Sequence, residues 1–417
     1  MTDTAQRNST ARKWPEGGVT RVPAWIYSDP DIFAREMEVF HYGKTWNFVG
    51  LDCEVAEPGS FKRSWVGERA VIVTRDLDGE IHVVENRCAH RGALLCWKNR
   101  GQAREITCPY HHWSYNLKGD LMGLPFLRGA QGKGGMPRDF DKSKNGLTRL
   151  RVARRGGTIW ASYSDEVPPL EEYLGPEILM RLDRLVSRRP LRLLGYSRQI
   201  VKSNWKLYWE NSRDPYHATL MHPFLSTFGI LRTDGDYHSV PLKEGRHEYT
   251  YSQYDPELKN RSTEASKQIK SIRSDLEIKD KEVVTSVVDE FRDGMMGAFQ
   301  VFPTVLVQQY FNCLVVRHVI PKGPGAHELS WTYFGYEGDD ETINRLRLKQ
   351  SNLVGPAGFV SLEDSEVLAL MQPVVESCPE SVQVLEMGGH GTEAQDTMMT
   401  ETLIRAFYDF YRREMGL

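Results

Sequence analysis

Long apolar runs are missing from this 417-residue sequence. The longest are a few residues, far short of the roughly 20 that a membrane-spanning helix needs. An excess of either charge is missing too. Against 53 Lys and Arg stand 56 Asp and Glu, a net of −3 at neutral pH with no block of one sign. That balance removes the electrostatic ground for expecting nucleic acid or an anionic membrane surface as a partner. The stretch from Met1 to Gly18 is polar and lacks the apolar core of a signal peptide, so a cytoplasmic location is expected. Cysteine is scarce: Cys53, Cys88, Cys96, Cys108, Cys313 and Cys378. A chain this long can bury its own core, and without an export signal a disulfide framework is not expected.

What is present divides the chain. Length alone suggests two or three domains. Residues 1–48 read as an arm that packs on the C-terminal domain and carries one amphipathic helix, Asp31 to Phe40. From about Val49 to Ser164 the texture is that of a small all-β domain. Val71–Arg75 and Ile81–Glu85 form a hairpin around Asp78-Gly79, with further strands at Glu105–Cys108, Trp113–Leu117, Arg151–Ala153 and Thr158–Ser162. Pro168-Pro169 marks the next boundary. Residues 165–417 then read as helices (Leu170–Leu185, Trp205–Met221), strands (Ala298–Phe302, Val305–Phe311, Leu314–Ile320, Glu328–Gly335) and two more helices (Phe359–Met371, Thr397–Met415). Strands with segregated helices predict an α+β domain, an antiparallel sheet covered by helices. The charged segment Lys259–Lys281 reads as a surface excursion.

Two clusters carry the chemistry. Cys88-Ala89-His90 and Cys108-Pro109-Tyr110-His111 each supply one soft thiolate and one imidazole. A Rieske [2Fe–2S] centre needs that combination, two Cys on one iron and two His on the other. Two readings compete: an ordinary set of core Cys and surface His, and a structural zinc held by the same four ligands, although Cys-x-His followed by Cys-x-x-His is not a usual zinc spacing. Cys96 falls outside the pattern, and His112 should point away from its neighbour His111.

The second cluster lies in Trp205–His222. Asp214 and His217, three apart, share a helical face. His222 is five beyond His217, about 140° further round an ideal helix, so an unbroken helix would keep the two imidazoles apart. Pro223 disfavours helix at His222 and supplies the break that lets it swing back. A facial triad also needs a carboxylate. The candidate is Asp364, expected on one stripe with Val360, Val367 and Met371, whereas Glu363 is expected on the solvated side beside Glu366. Taken singly, these residues have blander readings. Asp214 could be an N-cap ahead of Pro215, and Asp364 could pair with an arginine.

The stretch Cys88-Ala89-His90-Arg91-Gly92, then Cys108-Pro109-Tyr110-His111, Trp113-Ser114-Tyr115 and Gly119-Asp120-Leu121, resembles the Rieske segment of ring-hydroxylating oxygenase large subunits. The Asp-x-x-His-x4-His run and the later Gly355-Pro356-Ala357-Gly358-Phe359 segment resemble the same family, and the likeness spans nearly the whole chain. It implies that Cys88 and Cys108 bind the inner cluster iron, and His90 and His111 the outer one. It further implies that His217, His222 and Asp364 bind a mononuclear Fe(II). Asp214 is implied to hydrogen-bond a metal histidine and bridge to the Rieske histidine of a neighbouring subunit, which requires a ring, usually a trimer. Ferredoxin, an NAD(P)H-dependent reductase and a small beta subunit in an alpha3beta3 assembly are the implied partners.

The likeness is greatest to the branch acting on aromatic carboxylates, among them salicylate 5-hydroxylase and the anthranilate, 2-halobenzoate and terephthalate dioxygenases. Cys313, Val315, Arg317 and Val319 fall on one face of a strand, and a guanidinium on an apolar face wants an anion, either a substrate carboxylate or an internal partner. Where terephthalate enzymes of this branch place a second arginine, this chain has Met398, which favours a monocarboxylate such as salicylate, 5-hydroxylated to gentisate. Gln308 and Met295 are candidate pocket residues. Rival readings are a Rieske electron-transfer or ligand-binding protein without oxygen chemistry, and a homomeric O-demethylating oxygenase.

Overall fold

The computed structural model describes residues 12–253, 266–273, 275–285 and 295–417. Part of the expected excursion, 259–265 and residue 274, lies outside them. The described remainder of that segment is mostly exposed, with Ile269 buried.

Among the described residues, three antiparallel sheets and a two-stranded pairing of the arm carry the chain. The first has seven strands in the order Asn47–Leu51, Thr158–Ser162, Arg149–Arg155, Ile81–Glu85, Arg69–Arg75, Ser60–Val66 and Arg100–Gln102. A three-stranded sheet of Ile106–Thr107, Ser114–Tyr115 and Leu121–Gly123 sits beside it. The larger C-terminal sheet runs Leu191–Val201, His327–Tyr336, Cys313–Pro321, Val305–Tyr310, Met295–Val301, His247–Gln253 and Tyr237–Leu242. All recorded pairings within these sheets are antiparallel. The expected α+β architecture is present, and the C-terminal sheet has three strands beyond those expected, Leu191–Val201, Tyr237–Leu242 and His247–Gln253.

Alternation along Cys313–Pro321 places its residues in two cores. Cys313, Val315 and Val319 pack with Trp205, Trp209 and Phe407 on one face, while Leu314 and Val316 pack with Trp160, Tyr173 and Leu182 on the other. A strand buried on both faces is apolar throughout apart from positions with a special role. Arg317 and His318 are those positions here.

The N-terminal arm joins the first of these cores through Trp25, Tyr27 and Phe33, and its Arg21–Pro23 pairs with Val382–Val384. Its helix is Pro30–Glu36, capped by Asp29 and continuing into a π-helical turn, Met37–His41. Two expected helices prove to be broken. Leu170–Leu185 divides into Leu170–Leu174 and Pro176–Val186 at Gly175, whose φ of 78° no helix tolerates. Trp205–Met221 divides at Asp214, as described below.

Candidate active site and cluster-binding loops

Trp205–Asn211 is buried on every side up to Glu210, and Asn204 caps it by accepting from Lys206 N at 3.0 Å. The chain leaves this helix through Arg213, which is fully buried. Its guanidinium donates to Gln300 Oε1 at 2.7 Å and to the carbonyls of Gly245 and Arg246. Anchored there, the backbone emerges at Asp214, the N-cap of Pro215–Met221. Asp214 does two things at once. Its Oδ1 accepts from Tyr216 N at 2.9 Å, and its Oδ2 lies 3.2 Å from His217 Nδ1. The cap and the contact with His217 are therefore not alternatives.

The second break falls where Pro223 puts it. His222 has φ −100° and ψ 87°, between Pro215–Met221 and Pro223–Thr227. The kink swings its ring to 5.3 Å from that of His217, centroid to centroid. Asp364 comes from the Ser361–Ser377 helix. Its Oδ1 lies 3.4 Å from His217 Nε2 and 3.3 Å from His222 Nε2, and it accepts from Asn211 Nδ2 at 3.0 Å. One ligand atom from each of His217, His222 and Asp364 falls within 4.8 Å of the others. Two imidazole nitrogens and one carboxylate oxygen, with the remaining side facing a cavity, are the donor set of non-heme Fe(II) oxygenases.

The electrostatics suit a cation. Burial disfavours charge on His217, but Asp214 and Asp364 on either side outweigh it and raise its proton affinity to about 10. Burial likewise opposes a charged Asp364, and the two imidazoles hold it ionised, well below the usual carboxylate range. The pocket binds positive charge whether a proton or a metal supplies it.

Two expectations for the Ser361–Ser377 helix need correction. Asp364 does not share a stripe with Val367, which is exposed. The buried face is Ser361, Asp364, Ser365, Leu368, Gln372 and Val375, because the helix starts at Ser361 and its seam passes between residues 364 and 365. Nor is Glu363 simply solvated. Its Oε2 accepts from His222 Nδ1 at 2.7 Å, turning Nε2 toward Asp364. A carboxylate behind a metal-binding imidazole fixes its tautomer and raises its basicity. Glu363→Ala is therefore expected to weaken iron retention by about 10- to 100-fold, measured by competition with a ferrous chelator, with the cluster's visible spectrum unchanged.

The cavity beside the triad has a volume of about 150 Å³. An engineered apolar void of roughly that size holds benzene, so there is room for one ring. Its apolar wall includes Leu225, Leu231, Met296, Leu306 and Val360. Among the described residues lining it, Arg317 is the only arginine or lysine. Arg317 is buried, donates through Nη1 to Tyr208 Oη at 2.9 Å and through Nη2 to Gln308 Oε1, and its Nε has no partner. It makes no ion pair among the described residues. Gln308 lines the cavity, but Met295 does not. Its neighbour Met296 does, and Met295 turns its sulfur to Arg184 instead. Met398 is fully buried and is not among the lining residues.

The other cluster forms on two loops with one hydrogen-bond pattern. Cys88 N donates to Ala93 O and Gly92 N to Cys88 O, while Cys108 N donates to Trp113 O and His112 N to Cys108 O. The fourth residue beyond each cysteine has a positive φ, Gly92 at 74° and His112 at 53°. His112 is thus a turn residue. Both cysteines are buried, His90 is exposed and His111 half-buried, their rings 4.7 Å apart. Trp113 stacks on His90 at 4.8 Å, and Tyr115 Oη lies 3.2 Å from Cys88 Sγ. Two buried thiols and two more exposed imidazoles on paired loops are the donor set of a Rieske two-iron cluster. All six cysteines are free.

Residues 181–417 match the family described as ring hydroxylating alpha subunit (catalytic domain), and residues 45–132 match the Rieske [2Fe-2S] domain. The chain belongs to the Rieske ring-hydroxylating oxygenase alpha subunits, enzymes with a [2Fe–2S] cluster and a mononuclear iron that work with ferredoxin and reductase partners. It is 44% identical over 409 residues to the large oxygenase component of salicylate 5-hydroxylase from Ralstonia sp, covering 97% of this chain and 96% of that one. It is 41% identical over 407 residues to the anthranilate 1,2-dioxygenase large subunit of Burkholderia cepacia, covering 97% and 95%. The backbone resembles naphthalene 1,2-dioxygenase from Rhodococcus sp. with a TM-score of 0.77 at 22% identity, covering 95% of this chain and 94% of that one. No helix among the described residues is long and apolar enough to cross a membrane.

Proposed function

We propose that the chain hydroxylates the ring of an aromatic monocarboxylate, with salicylate, converted to gentisate, as the leading substrate. The observation that carries this is Arg317, the one buried guanidinium in a ring-sized cavity beside the triad, with an unpartnered Nε. A planar fork held by Tyr208 and Gln308 suits one carboxylate, and among the described residues no second arginine or lysine lines the cavity for another. The identity to salicylate 5-hydroxylase supports the choice among monocarboxylates.

In this reading Cys88, His90, Cys108 and His111 hold the cluster, and His217, His222 and Asp364 hold the iron. When bound, these groups supply electrons and activate O2. The chain's own residues do the rest. Asp214 and Glu363 turn each imidazole so that its Nε2 faces the iron position. Arg317 fixes the carboxylate end of the ring, and Leu225, Leu231, Met296 and Leu306 exclude water. Around the exposed His90 stand Tyr110 and Phe126, each more than half exposed. Such an apolar rim suits cover by another subunit. It supports a ring in which Asp214 of one copy receives electrons from the cluster of the next, within an alpha3beta3 assembly fed by ferredoxin and an NAD(P)H-dependent reductase in the cytoplasm.

Supplying the reconstituted system with salicylate, anthranilate, 2-chlorobenzoate and terephthalate tests the substrate. Gentisate from salicylate is the expected product, and preferred turnover of terephthalate would refute the monocarboxylate reading. Arg317→Met, of similar volume, is expected to cost about 2–5 kcal/mol of transition-state binding, roughly 30-fold or more in kcat/KM. An equal loss with a ring lacking the carboxylate would show that Arg317 is only structural.

A further inference from the structure

Between the arm, the Trp205–Asn211 helix and the C-terminal helix Thr402–Met415 lies a buried polar network that the reaction does not use. Tyr408 Oη donates to Glu210 Oε1, Tyr27 Oη donates to Glu210 Oε2 at 3.0 Å, and the two phenol oxygens are 3.0 Å apart. Next to them, Tyr411 donates to Glu36 at 2.5 Å, where Lys206 and Trp205 also end. Three phenols, each already bonded to a carboxylate, are more than an anchor for the arm needs. A buried ion pair is weak evidence for stability in any case.

We infer that Tyr408 and Tyr27, with Glu210 as their base and Trp14 and Trp25 beyond them, form a path that drains an oxidising equivalent from the iron site when no substrate consumes it. The path begins at a ligand. Asp364 Oδ1 is hydrogen-bonded to Asn211 Nδ2, and Asn211 follows Glu210 on the same helix. It ends near solvent: Trp14 lies 5.7 Å from Tyr408 and 6.3 Å from Trp25, and Arg12, half exposed, stands over Trp25 at 5.8 Å. This rests on iron being held at the triad.

The step balances. One electron leaves Tyr408 for the oxidised iron. The phenolic O–H breaks, and its proton moves along the existing hydrogen bond to Glu210, leaving a phenoxyl radical. Trp14 then returns an electron and Glu210 returns the proton, so that Trp14 is one electron short. A thiol in solution supplies that electron and becomes a thiyl radical as it loses its proton. Burial lifts the Glu210 carboxyl to about 7 against the pull of the two phenols, so near neutral pH an ionised fraction is present to accept the proton.

The test is freeze-quenched electron paramagnetic resonance on holoenzyme treated with hydrogen peroxide in the absence of substrate, in samples matched for iron and cluster content. The expected result is an organic radical signal whose shape changes when ring-deuterated tyrosine is incorporated. Loss of that signal is expected in the Tyr27→Phe/Tyr408→Phe double variant, with faster inactivation by peroxide. Glu210→Gln keeps every ring and can still be hydrogen-bonded, but takes up no proton. It should lose the signal as well, which a merely structural role would not cause. No radical in iron-replete enzyme, or an undiminished one in the double variant, overturns the path and leaves the iron assignment standing.

Discussion

Asp364→Ala is expected to give protein that keeps the visible spectrum of its cluster, has lost its mononuclear iron and hydroxylates no ring. Asp364 Oδ1 is the point on which both imidazoles converge, at 3.4 and 3.3 Å, and among the described residues it is the only carboxylate grouped with both. Without it two neutral nitrogens remain, one donor and one charge short of the facial triad that holds ferrous iron against water. The helix itself should survive, since alanine is the best helix former and Asp364 sits in the first turn of 17 residues. The cluster loops lie on another sheet with their own core of Ile72, Leu95, Trp113 and Tyr115, so nothing there depends on residue 364. Iron and acid-labile sulfide, measured on the same preparation, check this directly. Sulfide should be unchanged while iron falls by one atom per chain. A variant that retains that iron would remove Asp364 from the ligand set.

What the sequence made legible, and what it hid, follows from the range over which each feature is decided. The two cluster loops could be read because their geometry is local. Each closes on itself within six residues, through a cysteine N–H and a turn residue of positive φ. The break at His222 could be read for the same reason, since Pro223 acts on its immediate neighbour. Glu363 could not. Whether residue 363 or 364 of an acidic pair meets the metal depends on where the helix begins and how its seam is turned. Both do meet the site, one as a candidate ligand and one behind His222. The Leu191–Val201 strand escaped because it is an edge strand of mixed exposure, with Arg192, Arg198 and Ile200 outward, and shows no clean alternation. Glu341–Val354 escaped because its buried face includes Asn344, Arg347 and Gln350, which pair with Asp339 and with the backbone and side chain of Asn312. Polar residues satisfied by tertiary partners look like surface until the partners are known.

Asp214→Ala should show the converse of Asp364→Ala, with both metal centres present and turnover lost. Removing the carboxylate takes away an N-cap, at a cost of about 1 kcal/mol, which a turn anchored by Arg213 and Gln300 can bear. It also frees His217 to reorient, which by itself would weaken iron binding by about 10- to 100-fold and can be offset by assaying at saturating ferrous iron. The loss of turnover should persist under those conditions if Asp214 also connects to the cluster of the neighbouring copy. Asp214 stands at the cavity, its side chain about one-fifth exposed, with one oxygen on His217. Asp214→Asn separates the contributions, because its amide oxygen restores the cap but not the charge. The decisive measurement is a single turnover of fully reduced protein mixed with O2 and salicylate, followed at the cluster's visible band. In both variants reoxidation of the cluster should stall at saturating ferrous iron, which the asparagine form also needs because its amide N–H, not an acceptor, faces His217 Nδ1. Reoxidation at the rate of the unaltered chain would mean that electrons reach the iron by a route that does not involve Asp214.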